Sequence, residues 1–523
     1  MKKKKNSIVI GFGIIILFLF ILLIGLVIKT LIYPFPKRDN VVVEKSAKKW
    51  VPSEKAIQRF VGGLRIPTVS VTDTSDTEAY LPFERFKAYL PRVYPRIYHI
   101  MDTSVINEYG LVFHWKGKNS SSEPLLFLSH YDVVPVAGYV PGDSDADSSV
   151  YNIQDLPSVP ITAVAGRWDY SPFSGAVVNG RIYGRGTLDM KGMLFALLEA
   201  ADTLIAGGYR PERDIWFAFG YDEEIGGTQG ARYIADYFKE QNIRFAAVYD
   251  EGGIVNTSVP GAEGRPVALV GVGEKGLLTL NVKVYGMGGH SSMPPQKSSL
   301  VMAAEVIERL NADQMPARII PPVASFLTNI GSGQGFIPRM VIANRWLLQP
   351  LLLKTLSENP ASNALIRTTT AITMAKGSDA PNVLSSMSEI TVNFRLLPGD
   401  SVEKVIEHVE KLCKGYEVEI EVASAREASG ISPENTPGYE AICNAMKAVY
   451  PEALVAAYIT IGGTDAYKYQ IVSDNIYRFM PLALNEYEQR TIHNENEYIS
   501  LENYGRMIGY FKELISNYGA GSQ

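Results

Sequence analysis

Side chains that hold a divalent cation are imidazoles and carboxylates, and this chain sets them at the ends of apolar runs. The stretch "FAFGYDEEIGG", Phe217–Gly227, leaves such a run and places Asp222, Glu223 and Glu224 side by side before a glycine pair. Like charges this close repel unless a cation or a proton lies between them. His130 and Asp132 follow the run "LLFL" and stand two apart on an extended segment, so both can face one side. There His130 can bind a metal, while Asp132 can accept the proton of its other ring nitrogen or steady a neighbouring base. Asp189 lies in "GRGTLDMKGM", between a glycine-rich turn and a helix start, where N-capping alone would also account for it. Asp250 and Glu251 end "VYDEGG", and His493 lies in "TIHNENEYIS". Two histidines and three or more carboxylates, each after a predicted strand, form a divalent-metal set best suited to zinc, with manganese or cobalt as substitutes. Singly each has an ordinary reading, as a surface pair, a cap or a solvated ring. Their joint recurrence carries the inference.

The remaining histidines carry no such pattern. His99 and His114 fit packed or half-exposed positions, His408 sits on a helix rich in Glu and Lys, and none of the three is assigned a role.

Elements able to bring the acids and imidazoles together are legible around them. "PLLFLSHYDVVPV" and "RDIWFAFG" are near-continuous apolar runs of the sort buried on both faces of a parallel sheet, and "GLVFHWKG" reads as a further strand. "GMLFALLEAADTLIAGG" has helical period and a Gly207-Gly208 stop, "GARYIADYFKEQ" is a second helix, and "FAAVYDEGG" is a strand that ends in acids. This alternation is that of an α/β layer, whose ligands gather beyond the carboxyl ends of the strands. From "KGLLTLNVKVYGMGGHSS" to "SEITVNFRLLPGD" two alternating strands bracket helices such as "SLVMAAEVIERLNAD", which reads as an inserted α+β module. After Asp400 a helix, "SVEKVIEHVEKL", and an alternating strand, "YEVEIEVA", resume the larger layer.

At 523 residues the chain exceeds one compact core. Its net charge of −5, with Lys2–Lys5 the only strong basic run, excludes nucleic acid as a partner class. Cys413 and Cys443 cannot build a disulfide framework. Ile8–Ile28 is an unbroken stretch of aliphatic residues, Phe and Gly, matching the roughly 20 residues a helix needs to cross a bilayer. No small-residue cleavage site follows it, so it reads as an uncleaved signal anchor. Lysines 2–5 before the span, against a thinner flank of Lys29, Lys37 and Arg38, place the N-terminus in the cytoplasm and the bulk outside.

In order, "SHYDVVPV", "GRGTLDMKG", "GYDEEIGG", "VYDEGG", "GGHSSMPP" and "IHNENEYIS" resemble the signature blocks of the di-zinc peptidases and amidohydrolases that include carboxypeptidase S, aminoacylase and glutamate carboxypeptidase. "NPASNALIRTTTAITM" and "IYRFMPLALNEYEQRTIHNENEYIS" resemble in particular the branch of carboxypeptidase S and the N-fatty-acyl-amino-acid synthase/hydrolase. The likeness covers roughly residues 45–518. It implies an α/β fold: a zinc-exopeptidase-like catalytic domain with a central, mostly parallel sheet, an inserted α+β lid and dimerisation domain, and the N-terminal transmembrane helix. The expected division is a cytoplasmic basic stub at 1–7, the signal anchor at 8–33, a linker at 34–52, catalytic parts at 53–274 and 397–523, and the lid at 275–396.

Carried over by position, the resemblance implies two zinc ions bridged by Asp189, with His130 and Asp250 completing one shell and Glu224 and His493 the other. Glu223 would be the general base and Asp132 would tune its surroundings. In the lid, His290 matches the histidine that stabilises the oxyanion, and Asn382 and Arg395 match residues that hold the substrate's carboxylate. Gly463 and Thr464 lie in "GGTDA", which matches a loop near the substrate. The implied activity is hydrolysis of an amide next to a free-carboxylate amino acid. A carboxypeptidase on short peptides leads, an N-acyl-amino-acid amidohydrolase is the alternative, and an inactive binding protein on the same fold comes last. A serine hydrolase finds no support, since the chain contains no G-x-S-x-G. One departure concerns the 59 residues that separate His130 from Asp189, about twice the gap usual in that family. The excess falls near Ala137–Arg167, around "GDSDADSS", and bears on pocket shape and subunit pairing.

Overall fold

The structure, a computed structural model, describes residues 2–35, 50–72, 77–137, 168–259, 262 and 264–519. Apart from Ala137, the excursion expected at 137–167 lies outside the described residues, and so does most of the linker at 34–52. Two compact units are present: Val41–Ser258 with Arg265–Gly276 and Glu427–Gln523, and Met1–Asn40 with Val259–Gly264 and Leu277–Arg426.

A ten-stranded sheet organises the larger unit. Its central strand, Leu125–His130, is buried along its whole length and pairs in parallel with Ile215–Gly220 on one side and Ala247–Asp250 on the other. Those are the apolar runs of the sequence, and burial on both faces is why they do not alternate. The sheet is mixed, with parallel pairs at its centre. Asp102–Ile106 and Gly110–Trp115 add an antiparallel hairpin at one edge, turning through Asn107 and Glu108 at positive φ, and Ile476–Arg478 meets Val267–Glu274 antiparallel. Helix Glu54–Leu64 starts where Ser53 accepts from the Ala56 amide at 3.1 Å. Helix Lys191–Ala206, almost wholly buried, ends at Gly207.

The smaller unit is built on a four-stranded antiparallel sheet, ordered Thr369–Lys376, Met387–Leu396, Gly276–Tyr285, Val418–Arg426. Helices Ser299–Ala312 and Val402–Leu412 share one core with it, through Val306, Leu310, Val405 and Val409 against Leu280, Val282, Val392 and Phe394. The unit therefore runs to Arg426, beyond the boundary expected at 396. An alternating strand needs an open sheet edge, and Val418–Arg426 finds one along Gly276–Tyr285.

Candidate metal centre

Three strand ends of the larger unit, and two connecting segments that carry Asp189 and His493, deliver the cluster. His130 is the last residue of the central strand. Its Nδ1 lies 3.1 Å from the Asp132 carbonyl oxygen and 3.1 Å from Asp132 Oδ1. With Nδ1 donating there, Nε2 is the atom that faces the cluster. That atom stands 3.1 Å from Asp189 Oδ1, 3.3 Å from Glu251 Oε1 and 3.8 Å from Glu223 Oε2. On the other side of Asp189, His493 Nε2 lies 2.9 Å from Oδ2 and 3.2 Å from Glu224 Oε2. Asp189 thus turns one carboxylate oxygen to each imidazole.

The turn after Ile215–Gly220 explains how adjacent acids reach one place. On a continuing strand Glu223 and Glu224 would face opposite ways. Instead the chain closes a short helical turn, Glu223–Ile225, and leaves it through Gly226 and Gly227 at φ 104° and 60°. A Cβ at Gly227 would stand 2.1 Å from Asp465 Oδ1, so only glycine fits. Asp132 fixes this turn from below, accepting from the Glu223 amide at 3.2 Å and the Glu224 amide at 3.1 Å, while the Ser70 hydroxyl donates to it at 2.8 Å. Asp222 accepts from the Gln229 and Gly230 amides at 2.7 and 2.8 Å and belongs to the turn.

Burial dominates the electrostatics. It pushes the Glu223 and Glu224 carboxyls up, Asp250 to about 7 and Glu251 to about 8. Burial would also raise Asp189, but hydrogen bonds to His130 and His493 hold it low. Burial lowers His130, and the Asp132 carboxylate together with hydrogen bonds to Asp189 and Glu251 more than offsets it, leaving the ring well above its usual range. Bonds to Asp189 and Glu224 carry His493 to about 10. Such a group keeps its negative charges only with added positive charge, as protons or as a cation.

The donor set fits divalent metal. His130, Asp189 and Glu251 offer ligand atoms within 4.8 Å of one another, and so do Asp189, Glu224 and His493. Glu224 Oε1 and Asp250 Oδ2 are buried and make no hydrogen bond, an arrangement that is costly without a cation nearby. The first group differs from the sequence expectation: Glu251, and not Asp250, stands beside His130. The strand continues through Asp250, paired with Arg478, and Glu251 is the first residue beyond it.

Glu497 is a further residue that sequence reasoning missed. Fully buried, it accepts from the Leu188 amide at 2.8 Å and the Asp189 amide at 3.4 Å, and pairs with Arg185 at 2.6 Å. It holds the segment that carries Asp189. Its place four residues after His493 in "IHNENEYIS" was the available signal. Thr464 is buried, its hydroxyl bonded to Glu274 at 3.1 Å, while Gly463 is exposed. His114 packs flat on Trp216 and bonds Asp214 at 2.7 Å, an ordinary structural role.

In the smaller unit, the two-residue ladder Gly289–His290 with Val383–Leu384 brings His290 beside Asn382, whose carbonyl accepts from the Ser291 amide at 3.1 Å. Both side chains are exposed. His290 Nδ1 accepts from the Ser292 amide at 3.1 Å, so the ring hydrogen sits on Nε2 and that atom is a donor. Arg395 is half-buried on Met387–Leu396 opposite Thr369, its pKa lowered by burial and then by the charge of Arg426.

A mixed α/β sheet with such a cluster at its strand ends defines a metallo-exopeptidase fold, and solved structures share it. The M20 family metallo-carboxypeptidase Sso-CP2 from Sulfolobus solfataricus matches with a TM-score of 0.60 at 21% identity, over 89% of this chain and 99% of that one. Human carnosine dipeptidase 1 matches with a TM-score of 0.56 at 16% identity, over 89% and 96%. The sequence profile of peptidase family M20/M25/M40 matches residues 155–517, and the chain belongs to that family. It is 33% identical over 493 residues to human N-fatty-acyl-amino acid synthase/hydrolase PM20D1, covering 92% of this chain and 89% of that protein. To Probable carboxypeptidase S-like 2 of Dictyostelium discoideum it is 31% identical over 465 residues, covering 88% and 84%. To carboxypeptidase S of Saccharomyces cerevisiae it is 26% identical over 518 residues, covering 88% and 84%. The protein is a metallopeptidase-class hydrolase of amide bonds, within the expected branch.

Proposed function

We propose that the chain is a membrane-anchored, di-zinc carboxypeptidase that cleaves the amide next to a free-carboxylate amino acid of short peptides. The observation that carries this is Asp189, shared between a His130–Glu251 group and a His493–Glu224 group, with Glu223 Oε2 3.8 Å from His130 Nε2. His130, Asp189, Glu224 and His493 would hold the two ions, with Asp250, whose buried Oδ2 makes no hydrogen bond, and Glu251, beside His130 Nε2, as the carboxylates available to complete the His130 side. Bound there, the ions would polarise the scissile carbonyl and acidify the attacking water. Glu223 takes the water's proton on its carboxylate and delivers it to the leaving amine, a shuttle suited by the upward push that burial gives its pKa. Asp132 positions Glu223 through its backbone amide.

His290, with Nε2 as donor, is suited to an oxyanion. Asn382 and the Arg395 fork are suited to the substrate's carboxylate, since a guanidinium binds both oxygens at once. Gly463 and Thr464 would border the substrate, and the smaller unit would mediate a homodimer. The apolar helix Gly11–Ile32 would span the membrane once with its N-terminus cytoplasmic, which the lysine asymmetry supports.

A second reading, an N-acyl-amino-acid amidohydrolase, is favoured by the 33% identity to human N-fatty-acyl-amino acid synthase/hydrolase PM20D1. The detergent-purified full chain, assayed on dipeptides against N-acyl amino acids with metal content measured in the same sample, decides between them. Faster turnover of dipeptides with close to two zinc equivalents is expected. Preference for N-acyl amino acids would establish the second reading, and metal without turnover of either class would leave a binding protein.

A further inference from the structure

Within the smaller unit, the long helix Lys2–Ile32 does not end free. Its last turns meet three short helices, Pro321–Gly331, Phe336–Ala343 and Arg345–Ser357. Thr30 is 1% exposed, while Phe12, Phe18 and Leu19 earlier in the helix are open. Asn344, at the junction of the second and third helices, donates from Nδ2 to the Leu26 carbonyl and to Thr30 Oγ1, each at 3.1 Å. The Tyr33 and Thr328 hydroxyls are 3.2 Å apart, and the Arg339 guanidinium lies 4.8 Å from the Phe35 ring centroid. These contacts fix a depth. Leu26 precedes the helix end at Ile32 by about 9 Å of helical rise. A bilayer spanned by this helix would therefore meet the Asn344 junction at the boundary between headgroups and acyl chains, where interfacial helices lie about 5–10 Å deep.

The short helices present an apolar face at that depth. Phe336 and Ile337 are exposed in the first turn of one, Ile337 at 70%. Trp346, Leu347 and Leu351 are exposed on the next, Trp346 at 64%; Leu347 and Leu351, four apart, share a face, and the three fall within an arc of about 140°. A cluster of this kind left open to water marks a contact surface. Charge points the same way. Residues 314–357 contain Arg318, Arg339, Arg345 and Lys354 and neither Asp nor Glu. Arg318 is paired with Asp400, so the other three supply the local positive charge. An apolar face, basic residues without acids, and a tryptophan under the Lys29 ammonium at 5.6 Å are the composition of a bilayer interface.

We infer that Phe336–Ser357 is a second membrane contact, its occupant the lipid of the leaflet at the C-terminal end of the span: acyl chains under Ile337, Trp346 and Leu351, and anionic headgroups beside Arg339, Arg345 and Lys354. This rests on the anchor reading of residues 8–33. Its consequence is a smaller unit held at a set angle to the bilayer, which one spanning helix alone does not impose.

The test uses the full chain in vesicles of phosphatidylcholine and phosphatidylglycerol, with Trp346 emission read as the difference between the chain and its Trp346→Phe variant. Lipid brominated high on the acyl chain should remove most of that emission, and aqueous acrylamide should remove little. Ile337→Trp in the Trp346→Phe background reads the neighbouring helix in the same way. Quenching by acrylamide and not by brominated lipid overturns the inference, as does protection from both, the outcome if a second copy covers the face. A chain released by alkaline carbonate overturns the anchor reading and this inference together. A chain that stays in the membrane with Trp346 open to water overturns the inference alone.

Discussion

The acidic cluster of the larger unit and the His290–Asn382 ladder of the smaller one are built on opposite terms. In the cluster, His130, Asp132, Asp250 and Glu251 are buried, and residues without a chemical role of their own, Ser70, Glu497 and Arg185, hold the segments that carry them. His493, at 50% exposure, is its open side. The ladder has two residues per strand, its histidine and asparagine are exposed, and the His290 ring is steadied by Ser292. A site that gathers like charges must be assembled by folding, which holds them together against a repulsion that protons or a cation then offset. Groups proposed to meet a passing substrate would need only a fixed base and an open tip.

That contrast can be broken experimentally. Glu223→Gln should lower kcat about a thousand-fold while metal content stays that of the unaltered chain, since Glu223 is the proposed base and would ligate no ion. Turnover near normal would remove it as the base. His290→Ala should cost about a hundred-fold in kcat with metal content and Tm unchanged, since an exposed ring on a short ladder supports no core. A fall in Tm or in bound metal would make it part of the scaffold instead. Glu497→Gln should weaken metal affinity about ten-fold through the Asp189 segment, leaving KM at saturating metal as before, and competition with a chelator reads this directly. Unchanged affinity would show that the Asp189 segment is held without it. The smallest effect is expected from Ser70→Ala, about 1 kcal/mol of stability in denaturant unfolding, with activity retained. A large loss of activity would give Ser70 a part in the chemistry through Asp132.

Much of this was legible in the sequence because buried parallel strands are continuous apolar runs. "LLFL" and "IWFAFG" announce both the strand and the point where it stops, and His130, Glu223 and Glu224 stand at those points. The glycine pair at Gly226-Gly227 likewise foretold that the chain leaves the strand, and its positive φ angles are how both acids reach one place. The hairpin that makes the sheet mixed was less legible, since a single strand does not encode the direction of its neighbour.

By itself, then, the sequence determined the elements, the acids and imidazoles that stand at and between their ends, and the family, because these depend on residue type, period and order. Tertiary structure alone decided three things. Glu251 rather than Asp250 stands beside His130, because strand pairing with Arg478 runs through Asp250 and releases the chain one residue later. Glu497 is recruited to the Asp189 segment across 308 residues of chain, a separation no local pattern records. Val418–Arg426 joins the smaller unit, because an alternating strand is indifferent to which sheet completes it until a free edge with a matching apolar face is present.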